Sequence, residues 1–213
     1  DGNSQAIAEE SRENEHTFHW FLIALTIIVL GAASVNQIFP LFLKLNEGLN
    51  ASDLEMSFIL SAWTLGGMTA SIVAGKLADK MGRTVVILAG MLKATATPLF
   101  YGVALNVFVM AIVYGINGMS FMTLQTAGFA LAGDIMPEHK RGRLLSRYNT
   151  VMALSWGPAG LLIGGPIADI QTRVLSVSAH TAYINAFITS SALILFGTLV
   201  FFTKVKKTVD KML

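Results

Sequence analysis

Six stretches of the chain are almost continuously apolar: His19–Leu43, Leu54–Ala74, Thr84–Val103, Val107–Ala132, Tyr148–Ile167 and Ala182–Phe202. Each is near the ~20 residues that a helix needs to cross ~30 Å of hydrocarbon. Lipid offers no hydrogen bonds to a bare backbone, so spans of this length are predicted as helices. Strands would be about half as long and would alternate in polarity. The connections are short: Asn46–Asp53, Ala104–Asn106, a basic Asp134–Arg147 and a polar Ala168–Thr181. The pattern gives three regions: a polar linker over 1–17, a six-helix bundle over 18–203 and a basic tail over 204–213.

Composition agrees. Of 213 residues, 54% are hydrophobic and 13% charged, against about 25% charged in a soluble domain. With no cysteine there is no disulfide or thiolate metal site, and no metal or other cofactor is expected. A net charge of +2 is too small to suggest nucleic acid. The placement of cations is more telling. Arg12, the loop between spans 2 and 3 (Lys76, Lys80, Arg83), the loop between spans 4 and 5 (Lys140, Arg141, Arg143, Arg147) and the tail (Lys204, Lys206, Lys207, Lys211) fall on one side of a six-helix series. The other side has Lys44 and Arg173. Positive loops stay inside, so both termini are expected in the cytoplasm and the protein in the cell membrane.

An internal repeat runs through the chain. Ala74-Gly75-Lys76-Leu77-Ala78-Asp79 aligns with Gly164-Gly165-Pro166-Ile167-Ala168-Asp169, and Arg83 with Arg173, at an offset of ninety residues. The same offset carries span 1 onto span 4. Spans 1–3 and 4–6 thus read as two copies of one unit, and an odd number of spans per copy inverts the second. The fold class is an all-α membrane protein of two inverted three-helix repeats, an arrangement that transporters use.

The stretch Gly75-x-Leu77-Ala78-Asp79-x-x-Gly82-Arg83, lying between two spans, resembles the loop 2–3 signature of the major facilitator superfamily. Pro137-Glu138-His139-Lys140-Arg141-Gly142-Arg143 resembles its basic loop 4–5, and Asn149–Asp169 is similar to helix 11 of drug-exporter-like members. The drug-antiporter pattern has Gly-Gly after the second Gly-Pro, where this chain has Asp169-Ile170. Members have twelve helices in two halves of six. The resemblance implies that this chain is the C-terminal half, helices 7–12, with the polar start as the central loop. An N-terminal half and a six-helix protein working as a dimer are the alternatives.

Candidate site residues follow. Gly75 and Gly82 are expected to form a tight turn and to let helices approach closely. Asp79 sits near the positive start of a following or neighbouring helix, and Arg83 is placed to pair with Asp134. In the family such charges, here with Arg141 and Arg143, form a gate that holds the cytoplasmic side closed in one state. Gly157, Pro158, Gly165 and Pro166 are expected to bend span 5, each proline breaking the helical hydrogen-bond ladder. The resemblance implies that spans 1, 2, 4 and 5 line a central cavity, which makes Asn36, Gln37, Asn117, Gln125, Asn149 and Trp156 candidate substrate contacts. Amides of this kind also serve to join helices. Lys93 is the one ionisable residue deep in a span, on a face with Thr97 and Tyr101 expected to look into protein. Glu55 and Asp169 stand at the outer edge and Asp134 at the inner edge, with no carboxylate deeper in a span, so any proton coupling would use the other half.

The resulting function is secondary transport of a small molecule by alternating access, with efflux of drug-like or amphipathic solutes expected and no enzyme chemistry. The expected partners are the lipid bilayer, the other six-helix half, a small-molecule substrate and protons, with no nucleic acid. An uptake permease for sugars or organic anions is one alternative, and a channel another. A phosphate-binding Gly-x-x-x-x-Gly-Lys-Ser/Thr loop is absent.

Overall fold

A computed structural model describes the backbone of residues 2–104 and 106–212, with the side chains of all these except 2–4, 6–10, 160, 211 and 212. The side chain of Lys211, used above, lies outside that set. Eight α-helices follow in order: α1 (Gly2–Leu43), α2 (Asp53–Met81), α3 (Arg83–Ala96), α4 (Val107–Ile135), α5 (Arg141–Trp156), α6 (Gly165–Arg173), α7 (Ala179–Val200) and α8 (Lys207–Met212). No strand occurs among the described residues. Five helical stretches are long and apolar enough to cross a membrane, and α5 with α6 forms a sixth, bent by 40°.

The helix starts are written locally. Ser52 and Glu55 form a capping box at α2, Ser52 Oγ accepting from the Glu55 amide and Glu55 Oε2 accepting from the Ser52 amide at 2.8 Å. Asn106 accepts from the Val109 amide at 2.9 Å to start α4, and Ser178 caps α7. Glu55 thus has a structural task at the span edge. After Ala96 the third span tightens into a 3₁₀ segment, Thr97–Val103, with Pro98 in its first turn.

The ninety-residue offset survives in the element boundaries. It carries Asp53–Met81 onto residues 143–171, which span α5, the break after it and α6, and α1's apolar part onto α4. The two copies differ at their charged ends. Arg83 lies beyond a helix break, whereas Asp169 and Arg173 sit one turn apart within α6, 3.8 Å from each other.

The helices pack in pairs, α1 with α7, α2 with α4 and α3 with α4, while α5 leans on α1. Glycines set the separations. A Cβ on Gly118 would fall on the Trp63 carbonyl, one on Gly66 on the Gly115 carbonyl, and one on Gly164 on the Ser34 carbonyl. These contacts bring α2 onto α4 and the bent span onto α1 at backbone distance. The core has two parts. One, at the end bearing Arg83 and Lys140, gathers Phe18, Phe21, Met91, Leu131, Tyr148 and Phe201. The other, at the far end, is aromatic: Phe39 stacks on Tyr114 at 4.2 Å, and Tyr101 meets Phe187 edge-on at 5.3 Å.

Several expectations need correction. The stretch from 75 to 83 is not a loop: α2 runs through Lys76, Asp79 and Lys80 to Met81, and the turn is the single residue Gly82 at φ +87°. Gly75 is helical, with open space where a Cβ would stand, so it makes neither a tight turn nor a close contact. Residues 2–17, read as a polar linker, are helical and continue into the first span. The basic tail is helical too, passing through a π-helical stretch, Phe201–Lys206, into α8. The two prolines of span 5 do not each bend it. The break falls after Trp156, around Gly157 and Pro158, and a π-helical stretch, Gly160–Gly164, follows. Gly165 and Pro166 follow directly on that stretch in the first turn of α6, which runs on to Arg173.

Candidate functional site

At the basic end the side chains form a set of ties between helices. Arg83, in the first turn of α3, makes an ion pair with Asp134 near the end of α4, and its Nη1 also donates to the Ala130 carbonyl at 2.5 Å. Arg141 Nη2 donates to the Gly133 carbonyl at 3.0 Å, satisfying an acceptor in the last turn of α4. Lys140 and Arg143 reach Glu15 of α1 at 2.5 and 3.5 Å. The hydrogen bond from Lys140 is the main cause holding the Glu15 carboxyl below the ordinary 4.5. Thr84 Oγ1 donates to Asp210 at 2.9 Å, fixing α8 against the start of α3. Of the seven residues expected to act as one gate, Arg83 and Asp134 meet directly, and Arg141 holds the same end of α4. Arg143 turns to α1 instead. Asp79 is exposed and makes no ion pair among the described residues. It lies in the last turn of α2, where a carboxylate opposes its own helix's dipole.

The five amide candidates separate into two groups. Asn36 Oδ1 accepts from Tyr114 Oη at 2.6 Å, joining α1 to α4. Asn117 Oδ1 accepts from Trp63 Nε1 and its Nδ2 donates to Thr97 Oγ1, both at 3.1 Å, joining α2, α4 and the end of span 3. Both amides are engaged inside the bundle. Gln37, Gln125 and Asn149 are exposed and make no side-chain hydrogen bond among the described residues.

Trp156 belongs to a row of rings that sequence reasoning missed. Phe121 lies 5.0 Å from Trp156 and 5.9 Å from Trp63, centroid to centroid, so the row crosses α5, α4 and α2. All three rings are half-buried. Phe121 and Gln125 are one helical turn apart on α4, and Asn149 and Trp156 two turns apart on α5, so each pair shares a helix face. The surface therefore offers flat aromatic area flanked by free amides, with no carboxylate. The signal available in the sequence was one large aromatic near the middle of each of spans 2, 4 and 5.

Lys93 is exposed, although Thr97 and Tyr101 on its expected face are buried. The burial of Thr97, one α-turn beyond it, does not extend to Lys93, and the 3₁₀ winding after Ala96 sets Tyr101 apart from the faces of α3.

Comparison with known proteins places this architecture. A family model described as Major Facilitator Superfamily matches residues 21–211. Quinolone resistance protein NorA of Staphylococcus aureus is 30% identical over 170 residues, covering 79% of this chain and 42% of the relative. An uncharacterised MFS-type transporter of Mycobacterium tuberculosis is 28% identical over 121 residues, covering 55% of this chain and 17% of that protein. The chain thus spans less than half the length of the curated relatives it matches. With six apolar spans, a charged break between the second and third, and a family match across nearly the whole bundle, this chain is a multi-pass membrane protein of the major facilitator superfamily.

Proposed function

We propose that this chain is the C-terminal half of a secondary transporter of the cell membrane, with both termini cytoplasmic, that exports flat aromatic, amphipathic solutes by alternating access. The observation that carries this reading is the Trp63–Phe121–Trp156 row beside the free amides of Gln125 and Asn149. Aromatic stacking and a few amide contacts suit a planar drug-like molecule and ask for no fixed counter-charge. The relatives named for quinolone resistance point to the same class of solute. The Arg83–Asp134 pair closes the basic end in this state, and its release opens that end. Asp79, free on this half, is aimed at a helix start in the absent half. Carboxylates for proton coupling belong to that half as well.

The test is efflux of a fluorescent quinolone from cells expressing the whole transporter. Phe121→Ala and Trp156→Ala each reduce efflux several-fold, in line with ~0.5–1.5 kcal/mol for an aromatic pair beyond its buried area, while surface expression is unchanged. Unaltered efflux in the double variant would remove the aromatic row from the substrate path. Accumulation of the quinolone through the wild type would reverse the direction of transport. Labelling of a tag at residue 213 on intact cells would reverse the orientation.

A further inference from the structure

Lys93 lies ten residues past Arg83, at a depth of about 15 Å from the basic end by the helical rise. That is near the centre of the bilayer, too deep for a lysine side chain to reach either surface. It stands at the inner end of a groove of about 320 Å³, within the size range of small-molecule sites. Val73 and Leu77 of α2 and Val85 and Ala89 of α3 wall the groove, and Met119 and Thr123 of α4 form its floor. Among the described residues no acidic one lines it. The Thr123 hydroxyl donates to the Met119 carbonyl at 2.8 Å, and among the described residues the Lys93 ammonium makes no hydrogen bond or ion pair.

On α4 the groove turns away from the aromatic row. Each α-helical residue advances about 100°, so Met119 and Thr123 lie about 200° around α4 from Phe121 and Gln125 respectively. It takes its lining from α2, α3 and α4 alone. This step rests on the function proposed above: with the absent half docked over the aromatic side, the groove faces hydrocarbon and no side chain of that half neutralises Lys93. A phospholipid headgroup stays at the bilayer surface and does not reach this depth. We propose that the groove is a second binding site, entered from the bilayer, for a lipophilic organic monoanion: an apolar body along the α2–α3 walls and a single carboxylate on Lys93. Such a ligand supplies the counter-charge that a cation at this depth demands.

Binding reads this site independently of the direction or substrate of transport. The whole transporter in detergent micelles is titrated in alkaline buffer with laurate or with dodecanol, and bound molecules are counted by native mass spectrometry. The wild type binds laurate more tightly than dodecanol by about tenfold or more, as a charge-assisted contact out of water requires. Lys93→Gln abolishes that preference and leaves dodecanol binding unchanged, Lys93→Arg retains it, and Ala89→Trp, which fills the groove, removes both ligands. Equal binding of laurate and dodecanol by the wild type, or an undiminished preference in Lys93→Gln, would overturn the proposal.

Discussion

Arg83 and Asp134 form an ion pair across the break between α2 and α3, joining the start of α3 to the end of α4. Each side chain is 30% exposed, which sets the pair between surface pairs worth ~0.2–1 kcal/mol and buried ones that cost ~3–5 kcal/mol to break. Asp134→Asn is expected to lower stability by about 1–2 kcal/mol. Arg83→Ala costs more, because it also removes the donor to the Ala130 carbonyl. The double variant is no less stable than Arg83→Ala alone. Thermal unfolding in detergent measures all three. A loss in Asp134→Asn equal to that in Arg83→Ala would mean the Ala130 contact contributes nothing.

The α2–α4 contact depends on atoms that are missing. A methyl group at Gly118 has no room against the Trp63 carbonyl, so Gly118→Ala forces the helices apart. The expected cost is about 1–3 kcal/mol, the usual range for overpacking. Gly133→Ala and Gly142→Ala add the same methyl into open space and leave the midpoint unchanged or raised, since alanine favours a helix over glycine. Melting curves for the three variants side by side decide this. An unshifted Gly118→Ala would show that the contact yields freely.

How much of this was legible follows from what kind of force fixes each feature. Hydrocarbon thickness acts on every span alike, so the six runs were readable from apolar length alone. The Arg83–Asp134 contact was readable because opposite charges stood at span ends expected on the same side of the membrane. The Gly66–Gly115 and Gly118–Trp63 contacts were not, because a glycine shows no partner until two helices are set side by side. Gly75 and Gly82 look alike in sequence, yet one sits within a helix and the other turns the chain at φ +87°. Helix propensity across Lys76–Met81 outweighs a single glycine. Lys93 was visible as an intramembrane charge. Its direction was not, since a 3₁₀ segment after Ala96 breaks the periodicity that would link it to Tyr101.

Asn117 ties three helices through two hydrogen bonds of 3.1 Å. In membranes such bonds average ~0.6 kcal/mol and reach ~1.7. A double-mutant cycle of Trp63→Phe and Asn117→Leu is therefore expected to give a coupling energy of about 0.5–1.5 kcal/mol. Quinolone efflux, if it falls at all, should fall no more than stability explains. A large transport defect in a fully stable Asn117→Leu would return Asn117 to the substrate surface.

Glu15 links α1 to the loop before α5, and pH should report on it with a definite sign. Lys140, by its hydrogen bond first and its charge second, with help from Arg143, holds the Glu15 carboxyl below the ordinary glutamate value of 4.5. A carboxyl depressed on folding contributes stability above its unfolded value and loses it as pH falls through the folded value. The contribution is therefore complete at neutral pH, begins to fade near the ordinary value and is gone once the folded carboxyl is protonated. Comparing wild type with Glu15→Gln across an acid titration isolates it. The stability difference should be flat from neutral pH down to about 5, allowing ~1 unit of spread for glutamates, and should shrink to nothing below that. Salt should weaken it at neutral pH, since the pair meets solvent. A difference that grows on acidification would mean Glu15 is held in its protonated form, and that α1 meets this loop through some other contact.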